Sequence, residues 1–334
     1  MIRCLSRVRL CFCFTALLGV TVLSLVGEEH TLTVTVPAAN TQATATATVA
    51  RLNYTPGKTH ELTDRPLEDS LAARQVLAAF AALETDLGGQ VGLYCRDTGS
   101  GRELTWRGDQ RFPMNSTFKA VLAAAVLAEY GRDGQMEEVI PYGAGDLVTY
   151  SPVTQEHAGA GMTRAGLCQA ALQHSDNTAA NLLMRDLGGP AAVTAYAQGL
   201  GDETFRLDRW ETDLNDNAPG DPRDTTTPQA MGRTLEKLLL GEALSVQQRE
   251  QLVSWMVGNL TGDARIRAGV PADWTVADKT GSGDYGTAND IAVIWPPEGA
   301  PLVLAVYTNK AEAGASGSSE AVAEATRIAL AFMR

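Results

Sequence analysis

From Pro66 onward the chain alternates between two apolar periods. "PLEDSLAARQVLAAFAALETDL" carries apolar residues at helical spacing and stops at Gly88-Gly89, which predicts a glycine-terminated helix. "QVGLYCRD" and "ELTW" then flank "TGSG", a hairpin signal. Residues 113–257 read as helix-rich without a convincing strand run, beginning with the nearly all-apolar "NSTFKAVLAAAVLAEYG" at 115–131. Strand patterns return in "WTVADKTG", "NDIAVIWPP" and "PLVLAVYTN", and a helix near Glu320 to Met333 closes the chain. A helix and hairpin at one end, with three strands and a helix at the other, can share one antiparallel sheet if the middle is inserted as a helical unit. The predicted fold class is therefore α/β of the α+β kind. A discontinuous subdomain of residues 66–112 and 258–334 would hold the helix-flanked sheet. Residues 113–257 would form an all-helical subdomain, with the active site in the cleft between them.

Upstream, residues 28–65 are rich in Thr, Ala and Val and lack a sustained amphipathic period; they read as a linker or arm, with a short strand as the alternative. Residues 1–27 place Arg3, Arg7 and Arg9 before the apolar run "LCFCFTALLGVTVLSLVG". That is a secretory signal pattern, a retained membrane anchor being the rival, and it predicts a periplasmic or extracellular protein with no membrane attachment after cleavage.

Charge and composition narrow the partners. The net charge is -12, and no run of lysines and arginines offers a footprint for nucleic acid. His30, His60, His157 and His174 lack metal-ligand spacing and no CxxC occurs, so neither a metal nor a cofactor is expected. Cys95 and Cys168 read as buried small apolar side chains. No periodic apolar patch points to an oligomer, and a monomer is expected.

Four short stretches carry chemistry. Ser116 and Lys119 are spaced i, i+3, one turn apart on one helix face. A serine hydroxyl needs a base, and a lysine desolvated by an apolar helix can serve as one. Alone, the pair reads first as an N-cap serine with a snorkelling lysine. In "HSDNTAANLLMRDLGG", Ser175-Asp176-Asn177 form an N-capping cluster that can also supply a second hydroxyl and an amide. "LDRWETDLNDNAPGDPRDTTTP", residues 207–228, is a long irregular segment of the kind that is usually functional. Within it, Glu211 and Asn215 are four apart and can hold one water between them. Arg209 and Asp224 can close its neck as an ion pair, one that would contribute little if exposed. In "DKTGSGDYGT", Lys279, Thr280 and Ser282 can bind a carboxylate, and the glycines let an extended ligand lie against the strand edge.

In order along the chain these are S-x-x-K, S-D-N, E-x-x-L-N and K-T-G, each where the predicted elements need it. Together with "DLVTYSPVT", "SDNTAANLL", "LDRWE", "RDTTTP" and "DKTGSGDYGTANDIAV", they make residues 66–334 resemble the class A serine β-lactamases, members of the penicillin-recognising serine enzymes. The resemblance implies that Ser116 is acylated by a β-lactam, with the backbone N–H groups of Ser116 and Ser282 as oxyanion hole. Lys119 would accept or relay the serine proton, and Ser175 would pass one to the lactam nitrogen. Glu211 and Asn215 would hold the deacylating water. Asn177 would bind the substrate's side-chain amide and Tyr150 would wall the cleft. Lys279, Thr280, Gly281 and Ser282 would receive the carboxylate.

Departures from the family pattern are informative. Many members have an arginine where this chain has Ala288, and Arg265 in "TGDARIRAG" matches an alternative arginine, so Arg265 is expected to substitute. Cys168 matches half of a disulfide found in some members, but its partner position is Ala123. The carbapenem-hydrolysing branch usually joins the residue before the nucleophile to the strand by a disulfide; those positions are Asn115 and Gly283. The expected substrates are therefore penicillins and cephalosporins rather than carbapenems. Two rivals share the serine and lysine, a penicillin-binding D,D-peptidase and a sensor that stays acylated. Glu211 with Asn215 favours the hydrolase, because only turnover requires an activated water.

Overall fold

The computed structural model describes residues 31–38, 41–48, 65–216 and 218–334. The leader assigned to residues 1–27 lies outside them. In the stretch read as a linker, the strand alternative occurs twice, as β1 (Thr31–Ala38) and β2 (Thr41–Thr48), paired antiparallel.

α1 (Arg65–Leu87) leads into β3 (Gln90–Asp97) and β4 (Glu103–Trp106). After β5 (Phe112–Pro113) come α2 (Phe118–Tyr130), the short pair β6 (Val139–Ile140) and β7 (Met162–Thr163), α3 (Arg164–Gln173), α4 (Asn177–Leu187) and α5 (Pro190–Gly199). β8 (Thr225–Thr226), α6 (Pro228–Leu239), α7 (Val246–Val257) and α8 (Ile266–Gly269) follow. The chain returns to the sheet with β9 (Thr275–Gly283), β10 (Thr287–Trp295) and β11 (Leu302–Asn309), and ends in α9 (Ser319–Met333).

The main sheet has the order β4-β3-β11-β10-β9 and is antiparallel throughout. Both of its faces are covered, one by α1 and α9, the other by the helical layer that includes α2 and α6. Two-sided burial explains why β10 and β11 read as continuous apolar runs rather than alternating ones. Cys95 sits in one layer of core and Cys168 in the other, both buried and unbridged.

Capping sets the helix boundaries that matter at the site. Asp176 accepts the Ala179 N–H and starts α4, which Gly188 ends at φ 102°. α2 departs from the expected N-cap at Ser116. Residues Asn115–Thr117 form a separate 3-10 turn, α2 begins at Phe118, and no side chain caps it. Ser116 is thereby freed from capping. The turn is anchored from outside: β5 pairs with β8, and the Met114 N–H donates to the Asp224 carbonyl at 2.9 Å.

Candidate active site

Ser116 lies in the 3-10 turn with its hydroxyl facing two buried ionisable groups. Lys119 Nζ donates to Ser116 Oγ at 2.9 Å, and Ser116 Oγ donates to Glu211 Oε1 at 3.3 Å. Lys119 and Glu211 form an ion pair at 3.0 Å with both side chains fully buried. Burial pushes the Lys119 ammonium down from its ordinary value, and the Glu211 carboxylate opposes that shift.

α4 and the turn before it supply the second wall. Ser175 adopts φ 58°, a strained conformation for a non-glycine residue. Its Oγ accepts from Lys279 Nζ at 3.1 Å and from Lys119 Nζ at 3.5 Å, so the two lysines meet on one hydroxyl. Lys279 is fully buried, and burial with the nearby Lys119 charge drives its ammonium well down, against Asp278 and Asp290. Asn177 accepts from Lys119 Nζ at 2.6 Å and donates to the Thr149 carbonyl at 3.0 Å. Its amide therefore ties the lysine to the segment carrying Tyr150. Tyr150 is 58% exposed at φ 63°, and its carbonyl accepts the Asn177 N–H.

The segment at 207–228 brings in the carboxylate. Asn215 Nδ2 donates to Glu211 Oε2 at 2.6 Å, so the two side chains meet directly. Asn181, unnoticed in the sequence, brackets the Glu211 backbone: its Oδ1 accepts the Glu211 N–H and its Nδ2 donates to the Glu211 carbonyl. Its signal was its position four residues after Asn177, on the same face of α4. The neck pair is not the weak exposed contact considered above. Arg209 Nε meets Asp224 Oδ2 at 2.5 Å, and Asp224 is 1% exposed while accepting the backbone N–H groups of Asp208 and Arg209.

β9 closes the site against the nucleophile turn. A Cβ on Gly281 would stand 2.7 Å from the Met114 carbonyl oxygen and 3.2 Å from the Ser116 nitrogen, so only glycine lets strand and turn approach this closely. Thr280 Oγ1 and Thr261 Oγ1 share a hydrogen bond. Ser282 Oγ accepts from Arg265 Nη2 at 2.6 Å, and Arg265 Nη1 donates to the Gly281 and Asn289 carbonyls at 2.7 Å each. The guanidinium thus reaches the strand edge alongside Ala288, opposite Ser282 in the β9–β10 register.

Behind this strand lies Asp290, fully buried, with Oδ2 accepting the Ile266 N–H at 3.0 Å and Oδ1 lacking a hydrogen-bond partner among the described residues. Burial first, then the Asp278 charge, push its carboxyl well above the ordinary 3.8, while Arg265 and Lys279 pull the other way. A raised folded-state value means stability present at low pH and lost as pH climbs through that value. Asp290→Asn should remove that contribution: as pH rises from about 4 to about 7 the wild-type melting temperature should fall relative to the variant's, read by calorimetry, and parallel curves would contradict it.

A cleft of about 810 Å³ lies elsewhere, between α6 and the β3–β4 edge, lined by residues that include Arg96, Glu103, Arg233 and Lys237. None of the predicted site residues reaches it. The chemistry instead concentrates where Ser116, Lys119, Ser175, Glu211 and Lys279 meet. That arrangement can activate a hydroxyl, deliver a proton and attract an anionic ligand.

Residues 73–333 match the β-lactamase enzyme family. The carbapenem-hydrolysing β-lactamase KPC of Klebsiella oxytoca is 52% identical over 257 residues, 76% of this chain and 88% of that one. β-Lactamase Toho-1 of Escherichia coli is 51% identical over 257 residues, 77% and 88% of the two chains. A solved β-lactamase from Desulfarculus baarsii DSM 2075 shares the fold with a TM-score of 0.77 at 52% identity, covering 78% of this chain and 98% of its own.

Proposed function

The chain belongs to the β-lactamase enzyme family, as a class A serine enzyme, and from that premise we propose how its residues divide the hydrolysis of the β-lactam amide bond. Lys119 gives a proton to Glu211, its ion-pair partner at 3.0 Å, and as the neutral amine takes the Ser116 proton as Oγ attacks the lactam carbonyl. The oxyanion forms against the backbone N–H groups of Ser116 and Ser282. Collapse breaks the C–N bond as Ser175, between Lys119 and Lys279, passes a proton to the leaving nitrogen and is reprotonated by Lys119, which recovers its own proton from Glu211 and leaves that residue a carboxylate again. Glu211, held by Asn215, then removes a proton from water as it attacks the ester, releasing the ring-opened acid and restoring Ser116.

The observation that carries this reading is the convergence of Lys119 and Glu211 on one hydroxyl, at 2.9 Å and 3.3 Å, with Asn215 fixing the far carboxylate oxygen. A D,D-peptidase or a sensor that stays acylated has no use for that buried carboxylate. Brief exposure to a penicillin followed by digestion should place the adduct on the peptide containing Ser116. An adduct elsewhere, or product formation by Ser116→Ala, would overturn the assignment.

Lys279, Thr280, Gly281 and Ser282 form the carboxylate subsite, with Arg265 in place of the arginine absent at Ala288. Arg265→Ala should lower kcat/KM about tenfold or more for carboxylate-bearing substrates, the size of one lost charge-assisted hydrogen bond, and leave a carboxylate ester unaffected. Equal effects on acid and ester would contradict this role. Asn177 binds the substrate's side-chain amide and Tyr150 flanks it.

The substrates proposed are penicillins and cephalosporins. The Klebsiella relative is named for carbapenem hydrolysis and the Escherichia relative is not, yet their identities to this chain differ by only one point, 52% against 51%. Asn115 and Gly283 hold no disulfide that would mark the former branch. Residues 1–27 are assigned as a cleaved leader, with the mature enzyme a periplasmic or extracellular monomer. Its catalytic cleft lies between residues 66–112 with 258–334 and residues 113–257, and no nucleic acid, metal or cofactor takes part.

A further inference from the structure

Behind Glu211 a row of three side-chain amides runs from the central sheet to the carboxylate. It begins at backbone. The Thr308 N–H of β11 donates to Asn289 Oδ1 at 3.1 Å, and Asn289 Nδ2 donates to the Pro113 carbonyl at 2.8 Å and to Asn115 Oδ1 at 3.0 Å. Asn115 Nδ2 donates to Asn215 Oδ1 at 3.1 Å, and Asn215 Nδ2 donates to Glu211 Oε2 at 2.6 Å. Asn115 and Asn289 are fully buried.

The polarity of the row is fixed from its far end. A backbone N–H only donates and a backbone carbonyl only accepts, so Asn289 has one permitted orientation. That orientation presents a donor to Asn115, which must answer with its oxygen and turn its own NH₂ towards Asn215. Asn215 must answer with its oxygen in turn, leaving its NH₂ for the carboxylate. Reversal of any one amide would set two donors or two acceptors face to face in a buried place, at a cost of about 1–3 kcal/mol. The carboxylate, which only accepts, asks the same polarity of Asn215 from the other end; without the row Asn215 keeps that polarity but loses the bond from Asn115 that fixes where its amide sits. Asn115 also holds φ 46°, a conformation that asparagine tolerates better than most residues.

We propose that Asn115 and Asn289 are positioning residues for deacylation: they lock the amide of Asn215 so that its donor, and the water it shares with Glu211, face the ester. This rests on the reading of Glu211 as the deacylating base. Acylation, which draws on Lys119, is left intact.

The test separates the two half-reactions by stopped flow and intact mass. Asn115→Gly removes the amide while accepting the positive φ, and Asn115→Leu restores bulk without a donor. Both should slow deacylation about tenfold or more, keep acylation within about threefold and accumulate adduct on Ser116 during turnover. kcat and KM should fall together. Combined with Asn215→Ala, either change should add nothing further to the deacylation defect. Asn289→Ser carries the same expectation should the Asn115 variants melt below the assay temperature.

Parallel loss of acylation, wild-type deacylation in Asn115→Leu, or losses that multiply with Asn215→Ala would overturn the proposal. Glu211→Gln serves as the control. If it accumulates adduct while the Asn115 variants behave as wild type, only the positioning role fails. If it turns over normally, the reading of Glu211 fails and the proposal falls with it.

Discussion

Glu211→Ala stalls the enzyme as an ester on Ser116, with kcat lower by about 10²–10⁴-fold, the contribution of a positioned general base. Two effects follow from removing this carboxylate. The deacylating water loses its proton acceptor, and Lys119 loses the one carboxylate that, among the described residues, lies within ion-pair distance of its fully buried ammonium. Burial already lowers the Lys119 pKa and Glu211 opposes the shift, so removal of Glu211 lowers it further and favours the neutral amine. A neutral Lys119, 2.9 Å from Ser116 Oγ, remains able to accept the serine proton. Acylation therefore survives a change that stops hydrolysis. Intact mass should find nearly all of the variant carrying one substrate mass within the first turnover. A variant that turns over normally contradicts the role given to Glu211; one that never acquires the adduct contradicts the division of labour between carboxylate and lysine.

Arg209→Ala is expected to be the most damaging change outside the reacting groups. Asp224 is 1% exposed and its Oδ2 lies 2.5 Å from Arg209 Nε, so the substitution leaves a buried carboxylate with backbone N–H partners but, among the described residues, no cation in ion-pair contact, Arg206 and Arg223 acting on it only from a distance. Breaking a buried pair from one side costs about 3–5 kcal/mol, several times the worth of an exposed pair. At roughly 2–4 °C per kcal/mol this is a fall of about 10 °C in melting temperature. Asp224 also offers its carbonyl to Met114 beside the nucleophile turn, and the segment it closes carries Glu211. Deacylation should weaken with stability. Thermal melts of Arg209→Ala and Arg209→Lys against wild type check the size of the effect; a fall of under about 2 °C for Arg209→Ala would mean that the neck is held by its backbone bonds alone.

The neck pair also marks where sequence reasoning loses its grip. That Arg209 and Asp224 can meet is legible from the ends of an irregular segment, but whether the contact is worth much depends on burial, which is set by distant packing. Ser116 and Lys119 were legible because i, i+3 spacing fixes their relation inside one helical stretch, and Glu211 and Asn215 because they too are local. Even so, the helix boundary was displaced, since nothing in "NSTFK" announces that a 3-10 turn precedes α2. The strands were readable because both faces of the sheet are covered. The amide row was not. Its links join Asn115 to residues 100 and 174 positions away, and no period or motif encodes a hydrogen bond of that span. Asn181 stands between these cases, on the right face of α4 but lacking a visible partner until Glu211 is placed beside it.

All of these assignments meet in one claim: Ser116 is acylated by a β-lactam and Glu211 with its water empties it again. The most direct measurement follows product equivalents per enzyme from a chromogenic cephalosporin in excess, with the mass of the protein sampled along the way. The account predicts product far beyond one equivalent, with the protein returning to its native mass once substrate is spent. A single stoichiometric burst that leaves a permanent adduct would contradict it.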